Sequence, residues 1–176
     1  MDFCYTLSVP AIFEKLVSGG QTGVDRAALD AALELGIPCG GWCPKGRLCE
    51  NGTIPSAYPL KETPTAEYAQ RTEWNVRDSS GTLVITEDTP GGGTALTIEF
   101  TRRYGKPCLV IDLKLTKAKE RVLESIRTWI AENDVRVLNV AGPRESTAPG
   151  IYEKTRAFLR YALAHLAAGT RGGESR

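Results

Sequence analysis

The chain has 176 residues, of which 41% are hydrophobic and 24% are charged, and its formal net charge is +1. This length and composition predict a single soluble domain whose core is large enough to fold without disulfides or metal. The 22 basic and 21 acidic residues are interspersed, which argues against partners held by overall charge, such as nucleic acid or an anionic membrane. We expect neither a membrane span nor a signal peptide. The five cysteines, an odd number, favour reduced thiols and a cytoplasmic location.

Short apolar stretches alternate with helical periodicity along the chain. Strands are predicted at 13–20, 37–43, 81–86, 106–112 and 135–142, and helices at 22–35, 65–79, 94–105, 116–134 and 149–168, with a long loop at 44–64. This alternation predicts a three-layer, Rossmann-like α/β fold, a doubly wound sheet of about five mainly parallel strands with helices on both faces. We assign 1–12 to an N-terminal extension, 13–168 to a single Rossmann-like ligand-binding domain and 169–176 to a disordered tail.

The first predicted helix shows the local signals most clearly. Val24, Ala28, Ala31 and Leu35 recur at helical spacing and are expected to share one face. Thr22 followed by Asp25 suits a capping box, and Gly36 suits the end of the helix.

The loops that follow the predicted strands hold most of the glycine, proline and isolated polar residues. After the first, second, third and fifth strands they read SGGQTGVDR, CPKGRLCENG, TEDTPGGGT and AGPRESTAPG. Because the carboxyl ends of parallel strands lie at one edge of a sheet, these loops are expected to meet there. The asymmetry predicts a ligand site at that edge; the alternative is that the loops are rich in glycine only because the chain turns.

Two of these loops, at 18–23 and 89–94, place glycines just before a helix start, where free N–H groups and the helix dipole favour an anion. The first loop matches neither the dinucleotide pattern G-x-G-x-x-G nor Walker A, and its alternative role is a tight turn capped by Thr22. We predict a two-loop anion site supplemented by nearby cations. The predicted ligand or phosphate contacts are Gly19, Gly20, Gln21, Thr22, Gly23, Arg26, Lys45, Arg47, Gly91, Gly92, Gly93, Thr94 and Arg144.

The second loop would bring Lys45 and Arg47 beside Trp42, which suits an aromatic or heterocyclic anion, although a solvated surface loop is the alternative. The spacing of Cys39, Cys43 and Cys49 is not a standard zinc spacing, so no protein-ligated metal is expected.

Catalytic residues cannot be assigned from the sequence. The single histidine, His165, argues against a nucleophile–histidine system. Possible acid or base residues are Asp25, Glu73 and Glu99, with Glu145 as a further carboxylate.

Six ordered motifs resemble one known family: VSGGQTGVDRAALDAAL, GGWCPKGR, NGTIPSAYPL, RTEWNVRDSSGTLVI, GGGTALT and NVAGPRES…PGIY. They are similar to the putative molybdenum carrier family, a YpsA-related, molybdenum-cofactor carrier-like branch of the SLOG/LOG (lysine-decarboxylase-like) Rossmannoid superfamily. The resemblance covers about residues 14–163. It implies a Rossmann-like homo-oligomer, a dimer or tetramer, that binds a phosphorylated small molecule. The implied ligand is a molybdopterin-type cofactor or a nucleotide, with its anion on residues 19–23 and 91–94.

One departure from the motifs of the superfamily bears on enzymatic activity. Enzymes of the LOG branch carry P-G-G-x-G-T-x-x-E and hydrolyse nucleotide N-glycosidic bonds, whereas this chain reads PGGGTALTIE. Thr97 stands where the pattern has glutamate, and Glu99 lies two residues further, about 200° around a helix. The sequence therefore predicts a molybdenum-cofactor carrier-like binding protein. A nucleotide-processing hydrolase and an interaction module with a vestigial pocket remain as alternatives.

Overall fold

The computed structural model describes residues 12–115 and 119–168. The helices are α1 Val24–Glu34, α2 Tyr68–Arg77, α3 Gly92–Arg103, α4 Lys119–Glu132 and α5 Ile151–Ala168. The strands are β1 Lys15–Val17, β2 Cys39–Gly40, β3 Trp42–Cys43, β4 Leu48–Cys49, β5 Gly52–Thr53, β6 Lys61–Glu62, β7 Gly81–Thr86, β8 Cys108–Asp112 and β9 Val137–Ala141. The predicted tail and almost all of the predicted N-terminal extension lie outside the described residues, as do residues 116–118 at the start of the fourth predicted helix.

The central sheet, as described, has five parallel strands in the order β2-β1-β9-β7-β8. The last strand of the chain therefore lies in the middle, between β1 and β7. If the strands are counted cyclically from β9, the order becomes 3-2-1-4-5, which is the order of a doubly wound dinucleotide-type sheet. The connectivity is thus a cyclic permutation of that fold, and the switch point, where the strand order reverses, falls between β9 and β7.

Helices flank the sheet on both sides. On one side α1 packs against α5, with α4 beside α5, and on the other side α2 packs against α3. β7 is buried along its whole length, which explains its continuous apolar run. In the last helix, Ile151, Thr155, Phe158 and Ala162 recur at helical spacing and are all buried. The fold class predicted from the alternation of elements is therefore confirmed.

Several local predictions need correction. The stretch predicted as one strand at 37–43 divides at Gly41, whose φ of 130° turns β3 away from the sheet so that it pairs with β6. Thr22 does not cap α1: the N-cap residue is Gly23, and no side chain caps it. Leu35 is 39% exposed, because α1 ends before it.

The end of α1 agrees with the sequence. Gly36 has a φ of 66°, and the N–H groups of Gly36 and Ile37 donate to the carbonyl oxygens of Leu33 and Ala32, which forms a Schellman end.

Four of the cysteines, Cys39, Cys43, Cys49 and Cys108, are free thiols, and Cys4 lies outside the described residues. Across residues 12–115 and 119–168, none of the helices combines the length and the apolar character that a bilayer crossing requires.

Candidate functional site

A crevice of about 600 Å³ opens beyond the carboxyl ends of β7 and β9, at the switch point of the sheet. The loops after these two strands, 87–91 and 142–148, line it together with the start of α1 and one side of α2. Parallel α/β sheets bind their ligands at this position. The structure therefore brings the second glycine loop and the last loop to one crevice, as the strand pattern predicted.

The second glycine loop is open toward this crevice. A Cβ atom built at Gly91, Gly92 or Gly93 would have no neighbour within 4 Å, and only Gly92 has a positive φ, of 50°. The carbonyl of Gly91 accepts from the N–H groups of Thr94 and Ala95, which begins α3. The N–H groups of Gly92 and Gly93 find no acceptor among the described residues. Packing does not explain three consecutive glycines here, whereas close approach of a ligand would.

The first glycine loop differs from the second, because three N–H groups of this loop and of the helix start that follows it donate within the protein. The N–H of Val24 donates to the carbonyl of Pro143 at 3.1 Å, that of Arg26 to the carbonyl of Gln21 at 3.0 Å, and that of Thr22 to Gln21 Oε1 at 3.0 Å. Of the two glycine loops, the second is therefore the more open toward this crevice. From the first loop and its helix start, Gln21 and Asp25 line the crevice.

The glycines of the first loop are required by packing. A Cβ atom on Gly20 would lie 2.5 Å from Leu60 Cδ1, and one on Gly23 would lie 2.4 Å from the carbonyl oxygen of Pro143. Both glycines also have φ values above 70°. These neighbours belong to the protein, so the sequence signal that suggested ligand contact at Gly20 and Gly23 has a structural cause.

Gly19 has a third role. A Cβ atom there would lie 1.9 Å from Arg71 Nη1, so the glycine leaves room for a guanidinium that crosses from α2. Arg71 Nη1 donates to Asp25 Oδ2 at 2.9 Å, and both side chains are mostly buried, with exposed fractions of 13% and 4%. Burial raises the pKa of Asp25, against the opposing effect of Arg71. Arg71 is not among the predicted site residues. Its only signal in the sequence is a charge within a helix that also carries buried positions.

The predicted cations Lys45 and Arg47 do not line the crevice. Arg47 instead donates to four carbonyl oxygens, those of Ile54, Pro55, Tyr58 and Leu60, at 2.7–3.2 Å. The guanidinium thereby holds the loop between β5 and β6, and four of its five N–H donors are used.

Trp42 also lies away from the crevice. Its ring meets Trp74 edge to face at 4.8 Å, and its Nε1–H donates to Asp78. The aromatic side chain at the crevice is Tyr68, which is 41% exposed.

Arg47→Lys is expected to lower the free energy of unfolding by about 2 kcal/mol, because an ammonium cannot reproduce the fork that satisfies four carbonyls. Chemical denaturation measures this loss, and ligand affinity of the folded variant should be unchanged. Lys45→Ala is the control, since Lys45 is exposed and its removal should change stability by less than about 0.5 kcal/mol. Normal stability with weakened ligand binding in Arg47→Lys would return Arg47 to the binding site.

A second, more open cleft of about 790 Å³ lies beside the crevice. Thr22, Gly23 and Arg26 line this cleft instead of the crevice. Arg26 Nη2 donates to the carbonyl of Gly20 at 3.1 Å, and its guanidinium lies 5.2 Å from the ring centre of Tyr58. Between the two cavities, Glu50 accepts hydrogen bonds from Thr22 Oγ1 and from the N–H and hydroxyl groups of Ser146. It thereby links the loop after β1 to the loop after β9.

Two tyrosines of the second cleft donate to one carboxylate. The hydroxyl groups of Tyr58 and Tyr152 each lie 2.7 Å from an oxygen of Asp30. Burial and the bond to Asp30 raise the pKa of Tyr152 to about 12 and raise that of Tyr58 as well. These groups therefore stay protonated and hold α1, α5 and the loop before β6 together.

Of the three carboxylates predicted as acid or base, only Asp25 lines the crevice. Glu73 accepts from the hydroxyl of Tyr104 at 2.9 Å, and Glu99 pairs with Arg103 at 3.1 Å. Glu145 accepts from the N–H of Tyr152 at 3.0 Å and so belongs to the start of α5. Arg144, a predicted ligand contact, lines the crevice with 48% of its side chain exposed.

The parallel sheet, its cyclically permuted order and the crevice at the switch point define a Rossmann-like protein. The model of the circularly permuted YpsA SLOG family matches residues 16–163. A solved structure, that of a putative molybdenum carrier protein from Syntrophus aciditrophicus, is similar at 48% identity and a TM-score of 0.83, covering 87% of this chain and 96% of its own. A comparison with curated protein sequences found no match.

The chain belongs to the circularly permuted YpsA SLOG family. The family resemblance inferred from the six motifs is thereby confirmed. The permutation was not part of that prediction, and it accounts for the central position of β9.

Proposed function

We propose that the protein is a molybdenum-cofactor carrier-like binding protein whose crevice holds a phosphorylated heterocycle, either a molybdopterin-type cofactor or a nucleotide. The observation that carries this proposal is the open loop at the start of α3. Gly91, Gly92 and Gly93 leave their Cβ positions empty, and the N–H groups of Gly92 and Gly93 have no acceptor among the described residues. A phosphate is the ligand group that such a helix start favours.

The remainder of the crevice suits the rest of such a ligand. Tyr68 offers an exposed aromatic ring at the wall, on which a planar heterocycle can stack. The volume of about 600 Å³ is within the range of pockets for cofactor-sized molecules. The similar protein from Syntrophus aciditrophicus is described as a putative molybdenum carrier, which supports the carrier proposal for this chain.

The hydrolase alternative has less support from the site. Glu99 and Glu73 point to other partners, Arg103 and Tyr104, and neither lines the crevice. Hydrolysis of an N-glycosidic bond would therefore depend on Asp25 among the three predicted carboxylates. Binding without turnover is the simpler proposal.

Thermal shift measurements with molybdate, tungstate, AMP, ADP-ribose and the isolated molybdenum cofactor test the proposal. We expect at least one phosphorylated compound to raise the melting temperature. If none does so at about millimolar concentration, a binding function at this crevice is contradicted.

The variant Gly93→Asp tests whether the phosphate of the ligand binds at the start of α3. The carboxylate would sit in the first turn of α3, where it should raise helix stability by about 0.5 kcal/mol through the helix dipole. The same charge should weaken binding of a phosphorylated ligand by more than about tenfold, because like charges repel. Stability and affinity should therefore change in opposite directions, as measured by denaturation and calorimetry.

Gly93→Asn is the matched control for this change, since it has nearly the same shape and no charge. It should keep substantially more affinity than Gly93→Asp. Equal affinity of the wild-type protein and Gly93→Asp would place the phosphate elsewhere.

A further inference from the structure

The Asp25–Arg71 pair at the crevice has hydrogen-bonding capacity that the protein does not use. A guanidinium has five N–H donors, and only one of those of Arg71, on Nη1, has an acceptor among the described residues. The Nε atom of Arg71 is fully buried and has no hydrogen-bond partner among the described residues. Arg47 is the instructive comparison, since its guanidinium donates to four carbonyl oxygens.

The position of Arg71 is built into the fold. Asp25 holds its Nη1, and the absence of a side chain at Gly19 leaves the space through which the guanidinium passes. Both Arg71 and Asp25 line the crevice. Such an arrangement fixes the donors of Arg71 before any ligand arrives, which lowers the cost of binding.

The charges that line the crevice indicate which kind of ligand group would accept hydrogen bonds from Arg71. Asp25 compensates the charge of Arg71, while Glu87 and Asp88 are paired with Lys154 and Lys114 at 2.8 and 2.7 Å. Arg144, the other arginine that lines the crevice, pairs with Glu50 at 3.8 Å. With these charges paired, the donors of Arg71 suit a neutral carbonyl better than a second phosphate. A guanidinium pairs best with two acceptors on one edge of a ring, and the carbonyl oxygen O6 and the nitrogen N7 of a 6-oxopurine provide them.

We propose that Arg71 is a specificity-determining residue that binds the ring carbonyl of the ligand, with Asp25 as its positioning residue. The crevice then prefers a 6-oxopurine type of heterocycle to a 6-aminopurine, which presents a donor at the same place. This inference rests on the proposed function, because a phosphate held at the start of α3 fixes which edge of the heterocycle faces Arg71.

Isothermal titration with IMP, GMP and AMP tests the inference on the wild-type protein. These nucleotides share the phosphate and ribose, and IMP differs from AMP in the carbonyl and the ring N–H. We expect IMP and GMP to bind about tenfold more tightly than AMP. Equal affinities, or tighter binding of AMP, overturn the role of Arg71 and leave the proposed function standing.

The variant Arg71→Lys keeps the positive charge but loses the two parallel N–H donors of the guanidinium. It should reduce the preference for IMP over AMP to within about twofold, because IMP and GMP lose more affinity than AMP does. A merely structural role would weaken all three nucleotides by the same factor and keep the preference. Arg77→Lys, on the same helix but outside the crevice, is the matched control and should keep the preference. A preference that survives in Arg71→Lys overturns the proposal. Failure of all three nucleotides to bind also overturns the proposal about Arg71. The proposed function would then be decided by whether the isolated molybdenum cofactor binds.

Discussion

Gly23→Ala is expected to lower the free energy of unfolding by about 4 kcal/mol, one of the two largest effects that we predict for a single substitution. Gly23 has φ 75° and ψ −129°, a backbone conformation that only glycine adopts readily. An added Cβ atom would also lie 2.4 Å from the carbonyl oxygen of Pro143 and 2.8 Å from the N–H nitrogen of Glu145. These are backbone atoms of the loop after β9, so no side-chain rotation relieves the overlap.

Gly36→Ala separates the two causes. Gly36 has a similar φ of 66° but no atom within 4 Å of its Cβ position, so this variant should lose only the conformational part, about 1–2 kcal/mol. Urea denaturation of both variants gives the comparison. A loss in Gly23→Ala no larger than that in Gly36→Ala would show that the loops after β1 and β9 are not packed as described.

The two glycine loops show what composition can and cannot predict. Both loops precede a helix at the same edge of the sheet, and no local pattern distinguishes one from the other. In the structure Gly20 and Gly23 are surrounded by protein atoms, whereas Gly91 and Gly93 face open space. Glycine is required wherever a Cβ atom has no room, and only the neighbours reveal whether protein or ligand would occupy that room.

The two arginines show the same limit for charge. Arg47 lies close to Trp42 in the sequence, in a predicted loop, and was predicted to bind an anion. Arg71 lies in a predicted helix, and no ligand contact was predicted for it. The hydrogen bonds of Arg47 go to backbone carbonyls more than six residues away in sequence, so no local pattern records them. The partner of Arg71, Asp25, is 46 positions away.

The class of the fold was predictable because each strand and helix carries its own periodicity. The order of the strands was not, because it depends on long-range pairing. β9 pairs with both β1 and β7, through contacts such as Leu16 with Leu138 and Leu83 with Val140. The loops after the strands nevertheless meet at one edge of the sheet, as predicted, since that step required only that the strands be parallel.

Arg71→Gln is expected to cost about 3–5 kcal/mol of stability near neutral pH, the second large effect. The substitution removes the partner of Asp25, whose side chain is only 4% exposed, and leaves a buried carboxylate without a countercharge. Asp25→Asn combined with Arg71→Gln should recover much of this loss, since an uncharged amide replaces the stranded carboxylate. A double-mutant cycle by denaturation measures the coupling, and additive losses would contradict a direct interaction.

The pH dependence of Arg71→Gln distinguishes lost charge from lost packing. Burial already raises the pKa of Asp25 above 3.8, and removing Arg71 removes the main effects that lower it, so this pKa should rise further in the variant. A carboxyl group whose pKa is raised by folding favours the folded state at low pH, and that contribution is lost as the pH rises through the folded-state pKa. The stability difference between the wild-type protein and Arg71→Gln should therefore be smaller at acidic pH and grow as the pH rises. The double variant lacks the carboxyl group and should show no such trend, whereas a difference that is constant with pH would assign the loss to packing alone.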